Sequence, residues 1–413
     1  MKKGLIKICI VIILILYCLL DRFIIVIPFI VTLLLLFLTE FKSLKFSNVA
    51  TNLIYPKRYF YLILFSIIML LRSPNIEEAK FQIIVMTVLM VTSFLLYFYI
   101  KKYNYFYLIL HSTLFISFIN HIAALNIPIF DFLMFNSEEV GGNEGVINGW
   151  GWSGRFSGIL DNPNALAILL IYSLFLSLFV LNYPQNIIRI TKIGRFICIL
   201  NIILCFYTIF MTQSRKGIVF GIMLLIISFL LKFSVKKFFP YIIGICIIGF
   251  LYLLLPNIGT SFEGGLERLE SVFNIANNST MIDNSTAMRL YFINEGLKGF
   301  IEYPIFGHGI NSFRYYYEYY AHNNYIELLF GTGLVGFLIY YSIHLNVLKN
   351  LLSKWKKNFF ITLFVIILLF MDVGYVSYES KLNMLIFVTL FLIIDYSNLN
   401  TQYESVNNYS IKK

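Results

Sequence analysis

Apolar runs long enough to cross a lipid bilayer alternate with short polar segments along most of the chain. A bilayer core of about 30 Å requires roughly 20 apolar residues in a helix, and about twelve runs reach or approach that length. These runs are residues 4–20, 22–39, 59–71, 81–100, 105–124, 163–182, 196–212, 217–231, 240–255, 323–346, 359–376 and 382–396. The pattern predicts an all-α, polytopic integral membrane protein in which residues 1–413 form a single transmembrane domain.

Composition and charge agree with a membrane protein and exclude a soluble domain. Hydrophobic residues make up 59% of the chain and charged residues 13%, and the mean hydropathy is +0.80, far from the values of soluble domains. The net charge of +11 comes from Lys and Arg concentrated in alternate connections between the predicted spans. Because basic residues in short loops remain cytoplasmic, both termini are predicted to be cytoplasmic, and the positive charge requires no nucleic-acid partner.

Two predicted outer loops, residues 125–162 and 256–322, are much longer than the other connections. Long loops in compact bundles usually carry function, so candidate chemistry is expected there. The polar segment 397–413 is predicted to be a disordered cytoplasmic tail. The sequence contains no nucleotide-binding fingerprint, acidic metal pair or zinc-ligand spacing, so neither a cofactor nor a metal is expected.

Arg215 lies in the sequence TQSRKG, a very short predicted turn between two spans. Ionisable groups near hydrocarbon are costly and tend to face a partner or a wet cavity. A guanidinium binds a phosphate through two parallel hydrogen bonds, which suits a lipid diphosphate at that depth. The simpler interpretation is that Arg215 and Lys216 only extend to the membrane interface.

Residues 289–336 combine polar and charged side chains with the beginning of a predicted span. This segment contains Arg289, Lys298, His308, Arg314 and His322. At a helix N-terminus the dipole would keep the His322 imidazole neutral and able to accept a proton. For a sugar hydroxyl, such a base is worth about 10²- to 10⁴-fold in rate. Alternatively, His322 and Asn323 only cap the helix. Glu327 lies past one full turn from His322 and either orients an acceptor or pairs with a cation.

Two motifs together resemble the O-antigen polymerase and ligase family. The first is a Pro-x-x-Gly-x-Gly turn at residues 304–309, followed by His-Asn at 322–323, a Glu and a glycine-rich helix opening. The second is the Arg-x-x-Gly sequence at 155–158, followed by Asn-Pro-Asn at 162–164, where Asn162 and Pro163 also read as an ordinary helix start. With the turn at Arg215, the resemblance covers about residues 149–336.

The resemblance implies a metal-independent, inverting glycosyl transfer in which a lipid diphosphate leaves the anomeric carbon as an acceptor hydroxyl attacks. It places the protein in the bacterial inner membrane. The implied partners are an undecaprenyl-diphosphate-linked oligosaccharide, membrane lipid and a chain-length regulator of the same pathway. The implied residues are His322 as catalytic base, Arg215, Arg155, Arg289 and Lys216 for the pyrophosphate, and His308, Arg314, Asn323 and Glu327 for the acceptor or sugar.

The favoured function is polymerisation of O-antigen or capsular repeat units, and the nearest alternative is a ligase that moves finished polymer to lipid A core or another acceptor. A flippase or transporter for lipid-linked sugars predicts charged residues lining several spans. Here the inner parts of the predicted spans are almost free of charge, which disfavours transport. A purely structural membrane protein would leave the outer Arg and His residues replaceable.

Overall fold

The computed structural model describes residues 2–19, 54–125, 155–160, 162–183, 190–231 and 284–410. Its helices are α1 Lys2–Leu19, α2 Ile54–Met69, α3 Ile76–Tyr103, α4 Phe106–Ala124, α5 Pro163–Asn182, α6 Lys192–Met211, α7 Arg215–Leu230, α8 Asn284–Glu302, α9 Ser312–Tyr317, α10 Asn324–Leu352, α11 Trp355–Met371 and α12 Lys381–Ser410. These ranges contain no β-strand, so the predicted all-α fold is confirmed.

Six of the described helices are long and apolar enough to cross a membrane, which confirms a polytopic membrane protein. They are α3, α4, α5, α6, α10 and the stretch Trp355–Gly374, which extends α11 by a 3-10 turn. The predicted spans at 22–39 and 240–255 lie outside the described residues. The total number of spans and the orientation of the termini therefore stay predictions.

One end of the chain differs from the sequence-based expectation. The predicted disorder of the C-terminal tail is wrong for residues 397–410, because α12 continues to Ser410. Residues 381–410 contain neither Pro nor Gly. A helix nucleated in their apolar first half can therefore propagate at little cost per residue. Residues 411–413 lie outside the described part.

The chain divides into two compact units, and each is described by itself. The first unit comprises Met1–Tyr17, Arg22–Phe106 and Asp283–Lys413, and the second comprises Cys18–Asp21 and Tyr107–Ile282. Among the described helices, the second unit contains nearly all of α4 together with α5, α6 and α7. The prediction of a single transmembrane domain over residues 1–413 stays a prediction.

In the second unit, buried polar side chains connect α4, α5 and α6. The ring nitrogens of His121 lie 2.7 Å from Thr208 Oγ1 and 3.3 Å from Asn201 Oδ1. Asn201 Nδ2 donates hydrogen bonds of 3.0 Å to the hydroxyls of Ser173 and Ser177. Interhelical hydrogen bonds of this kind hold membrane helices together and fix their register. The structure thus gives His121 a packing role.

In the first unit, α10 is folded back on itself instead of forming the continuous span predicted for residues 323–346. Gly333 has φ 61° and ψ −166°, which is not helical. The rings of Tyr325 and Tyr341 stack with centroids 4.8 Å apart, although sixteen residues of continuous helix would separate them by roughly 24 Å. Asn324 Nδ2 also donates to Tyr341 Oη at 2.9 Å. The chain therefore reverses at Gly333, and residues 324–332 lie beside the beginning of the longer half.

The break in α10 is closed by the Pro-x-x-Gly-x-Gly turn at residues 304–309. The N–H groups of His308 and Gly309 donate to the carbonyls of residues 330 and 331, both at 2.9 Å. In return, the carbonyls of residues 304 and 305 accept from the N–H groups of residues 334 and 335, at 2.9 and 3.2 Å. Backbone groups freed in a membrane helix must find partners, and this turn supplies four of them.

Candidate functional site

A basic cluster in the second unit forms where α5 and α7 begin and α6 ends. Arg155 Nε donates to the carbonyl of Thr212 at 3.0 Å, and its Nη2 donates to Asn164 Oδ1 at 3.3 Å. Ser214 Oγ donates to the same Asn164 oxygen at 3.3 Å. Arg155 is thus tied to the turn that carries Arg215, and binding of pyrophosphate by these residues stays a prediction.

Arg215 and Lys216 are the first two residues of α7, and both are half-buried. The helix is capped by Ser214, whose hydroxyl accepts from the N–H of residue 217 at 3.4 Å. The start of α5 is capped by Asn162, whose Oδ1 accepts from the N–H groups of residues 164 and 165. The predicted cap at Asn162 is therefore confirmed. Two positive helix N-termini combined with Arg side chains form an environment suited to an anion.

Gly158 holds the Arg-x-x-Gly segment in its conformation. Its φ is +57°, and a Cβ at this position would lie 2.1 Å from Asn120 Oδ1. That oxygen accepts a hydrogen bond of 3.2 Å from the N–H of Ile159. A glycine at residue 158 is therefore required both by the left-handed backbone and by the close approach of Asn120.

His322 lies in the first unit, immediately before the N-cap of α10. Its backbone is left-handed, with φ 53°. The ring is packed beside Tyr320, with centroids 4.0 Å apart, and lies 6.5 Å from Phe292 on α8 at an interplanar angle of 20°. Within the described part of the chain, neither ring nitrogen makes a hydrogen bond. The imidazole is thus held by packing while its nitrogens stay available to a substrate.

The surroundings of His322 favour its neutral form. Burial lowers the pKa of His322 to about 4, and the positive charge of Arg289 on α8 adds to the effect. The sequence predicted a neutral ring from the helix dipole, whereas the principal causes in the structure are burial and Arg289. A neutral imidazole near pH 7 can accept a proton.

His308 is built into the fold in a different way. Its Nε2 lies 3.0 Å from the carbonyl of Gly299, its ring stacks on Phe330 at 4.3 Å, and its main-chain N–H takes part in closing the α10 break. A ring nitrogen used to bind a carbonyl is not free to accept a proton. The structure therefore explains His308 by packing, and a role in sugar binding stays a prediction.

The remaining predicted contacts cluster at the start of α10. The side-chain oxygen of Asn323 accepts from the N–H groups of residues 325 and 326, at 3.0 and 3.3 Å, so Asn323 caps the helix. Glu327 is buried, and its Oε2 accepts from the N–H of Ala321 at 2.7 Å. Arg314 is exposed on α9 and acts electrostatically on Glu327. Sugar contacts by these side chains stay predictions.

The structure thus groups the predicted residues into two sets. Arg155, Arg215 and Lys216 belong to the second unit, and Arg289, His308, Arg314, His322, Asn323 and Glu327 belong to the first. Sequence reasoning missed Asn164 as the link between Arg155 and the α7 turn, and it did not identify Gly333 as the break in α10. The signal for Gly333 was present, because glycines interrupting an apolar segment often mark a broken membrane helix.

The described helices and their packing define a polytopic, all-α membrane protein. Residues 200–341 match the family model described as O-antigen ligase, and this match supports the O-antigen polymerase and ligase family that the motifs predicted. The family consists of membrane enzymes of the glycosyltransferase kind that act on lipid-linked sugars. The matched range contains Arg215, Arg289 and His322, whereas Arg155 precedes it. No curated protein matches the chain.

Proposed function

We propose that this protein polymerises lipid-linked oligosaccharide repeat units, of an O-antigen or a capsular polysaccharide, on the outer face of the bacterial inner membrane. The observation that carries the proposal is His322, whose ring is packed beside Tyr320 and Phe292 with no hydrogen bond to its nitrogens in the described residues. Burial also lowers the pKa of His322, which favours the neutral ring. A general base must be neutral and accessible to the proton that it removes, and His322 meets both conditions.

The reaction is a single displacement with inversion at the anomeric carbon. The acceptor hydroxyl attacks that carbon and gives its proton to His322, while the undecaprenyl diphosphate departs with the electron pair of the broken C–O bond. Arg155, Arg215 and Lys216 are assigned to the diphosphate, because guanidinium and helix N-termini bind its oxygens. The mechanism requires no metal, since the positive side chains offset the charge of the leaving group.

Glycan from a deletion strain tests the proposal. Lipid-linked and surface glycan would be separated on a gel after complementation with wild-type protein or with empty vector. We expect a single repeat unit in the deletion strain and a ladder of polymer lengths after complementation. A ladder that is unchanged in the deletion strain would contradict polymerase function.

Ligation is the second candidate, because the matched family model is described as O-antigen ligase. A ligase transfers finished polymer to lipid A core or another acceptor. Its loss would leave long lipid-linked chains that never reach the final acceptor. The same gel therefore separates the two functions, because a polymerase deletion stops at one repeat unit.

The pH dependence of polymerisation follows from the lowered pKa of His322. Because the neutral ring is the active base, activity should be constant near neutral pH and fall as the pH drops through about 4. Arg289→Gln removes one cause of the lowered pKa, so the acid limb should move to higher pH while the remaining burial keeps it below the usual pKa of 6.5. Initial rates measured from about pH 3 to about pH 8, a range that includes both sides of the limb, determine this shift.

Lys298→Gln is the matched control for Arg289→Gln. Lys298 is also on α8, but it pairs with Glu295 at 2.6 Å. Removing its charge should leave the acid limb in place. An acid limb that is identical in the Arg289→Gln variant and the wild type would contradict the electrostatic link between Arg289 and His322.

Arg215→Met is expected to reduce polymerisation about 100-fold, because it removes a donor aimed at the leaving diphosphate. Arg215→Lys should retain more activity, since it keeps the charge and loses only the two-pronged geometry. Arg195→Met, an exposed change on α6 in the same unit, is the control. Equal activities of Arg215→Met and Arg195→Met would remove Arg215 from the diphosphate site.

A further inference from the structure

The main chain on both sides of His322 is tied to the first turn of α10. On one side, Glu327 Oε2 accepts a hydrogen bond of 2.7 Å from the N–H of Ala321. On the other side, the N–H of Glu327 donates to the carbonyl of Asn323 at 2.9 Å. A single residue, Glu327, therefore fixes both neighbours of His322, one through its side chain and one through its backbone.

The carboxylate of Glu327 is in an unusual place for an acidic group. Glu327 is only 7% exposed, and both Arg314 and Glu379 act on it electrostatically. Burying a carboxylate costs free energy unless strong hydrogen bonds compensate. The hydrogen bond of 2.7 Å from the N–H of Ala321 satisfies one oxygen of this buried group.

His322 needs support of this kind for two reasons. Its φ of 53° lies in the left-handed region, which residues other than glycine adopt only when their surroundings enforce it. In addition, a catalytic imidazole is usually oriented by a hydrogen bond to its second nitrogen. The described residues provide no such bond to His322, so its orientation depends on the backbone and on packing beside Tyr320.

We infer that Glu327 is a positioning residue, which holds the backbone at Ala321 and so directs the His322 ring toward the acceptor hydroxyl. This inference rests on the proposed function of His322 as base. It assigns Glu327 no contact with the sugar. The hydrogen bond to Ala321 requires an acceptor of the right length and does not require a negative charge.

Three substitutions of Glu327 distinguish the effect of side-chain length from the effect of negative charge. Glu327→Gln keeps the length and an amide oxygen that can accept from Ala321, and it removes the charge. Glu327→Asp keeps the charge and shortens the side chain, so that the bond is lost. Glu327→Ala loses both. Glu295→Ala on α8 removes another acidic side chain and serves as the control.

The assay uses the purified full-length protein and lipid-linked glycan extracted from the deletion strain. We expect Glu327→Gln to keep at least about a third of the wild-type kcat, and Glu327→Asp and Glu327→Ala to lose about 10- to 100-fold, as for a base displaced by about 1 Å. KM for the glycan should stay within about twofold of wild type in all three, since only chemistry is impaired. Glu295→Ala should resemble wild type.

Two results would overturn the positioning role. The first is equal loss in Glu327→Gln and Glu327→Asp, or a larger loss in Glu327→Gln, because charge would then be the property that matters. The second is an increased KM with unchanged kcat, which would indicate a sugar contact. If the Glu327→Ala variant does not accumulate in the membrane, the positioning role is still tested by comparing Glu327→Gln with Glu327→Asp at matched membrane levels.

Failure of the proposed function gives different results. Polymerase function is overturned if the wild-type protein transfers finished polymer to a separate acceptor. The rates of Glu327→Gln and Glu327→Asp would then be compared in that transfer reaction. Full activity of His322→Asn would overturn both the assignment of the base and the positioning role that depends on it.

Discussion

Replacement of His322 by asparagine is expected to reduce polymerisation about 10²- to 10⁴-fold, the usual contribution of a general base. Asparagine is the most suitable replacement because it tolerates the left-handed backbone that His322 adopts, with φ 53°. The fold should therefore be kept while the group that accepts the proton is lost. His322→Ala should show a similar loss of activity.

The measurement is a glycan gel from the deletion strain complemented with each variant at matched membrane levels. His111→Ala is the control, because His111 is an exposed histidine on α4. We expect a full ladder with His111→Ala and a single repeat unit with His322→Asn. A full ladder with His322→Asn would remove this residue from catalysis and leave the mechanism without its base.

Substitution of Gly333 by alanine is expected to destabilise the first unit by about 3 kcal/mol or more. The backbone at Gly333, with φ 61° and ψ −166°, is in a region that only glycine adopts readily. In addition, a Cβ would lie 2.4 Å from the carbonyl oxygen of Ile305, which belongs to the turn that closes the break. Thermal unfolding of the purified protein in detergent measures the loss, and activity should fall with it because His322 adjoins the displaced helix.

Gly221→Ala is the control for this change. Gly221 is inside α7, where a Cβ would make ordinary contact at 3.5 Å with Phe206 Cε1. Alanine is also the better helix former, so stability should change by no more than about 0.5 kcal/mol or rise slightly. Equal unfolding temperatures for Gly333→Ala and wild type would indicate that α10 is continuous.

Much of the fold could be predicted because membrane helices leave a strong pattern in the sequence. Ten of the predicted runs coincide in position with described helices, and α5 begins at Pro163 as its cap residues indicated. A bilayer forces backbone groups to be satisfied within each segment, so a long apolar run has few alternatives to a helix. The resemblance to the O-antigen polymerase and ligase family could likewise be recognised, because the motifs that carry it are short and consist of Gly, Pro, Arg and His at fixed spacing.

The site was predicted less completely, because several residues act through partners that are distant in sequence. Glu327 was expected to contact the acceptor or a cation, which stays a prediction, and nothing in the sequence indicated that its side chain accepts a hydrogen bond from the N–H of Ala321. His308 was a candidate for the sugar, yet its ring binds the carbonyl of Gly299 and stacks on Phe330. The spacing of residues in the sequence predicts the face of a helix on which a side chain lies. It does not predict which residue from another segment contacts that side chain.

The sequence by itself determined that this protein is an all-α membrane protein with a resemblance to the O-antigen polymerase and ligase family, because hydrophobic runs and local motifs are properties of short segments. Only the tertiary structure decided that α10 reverses at Gly333 and that residues 304–309 close the break. It also decided that the pKa of His322 is lowered chiefly by burial, with Arg289 contributing. These features arise from contacts between segments far apart along the chain, and such contacts leave no periodic signal in the sequence.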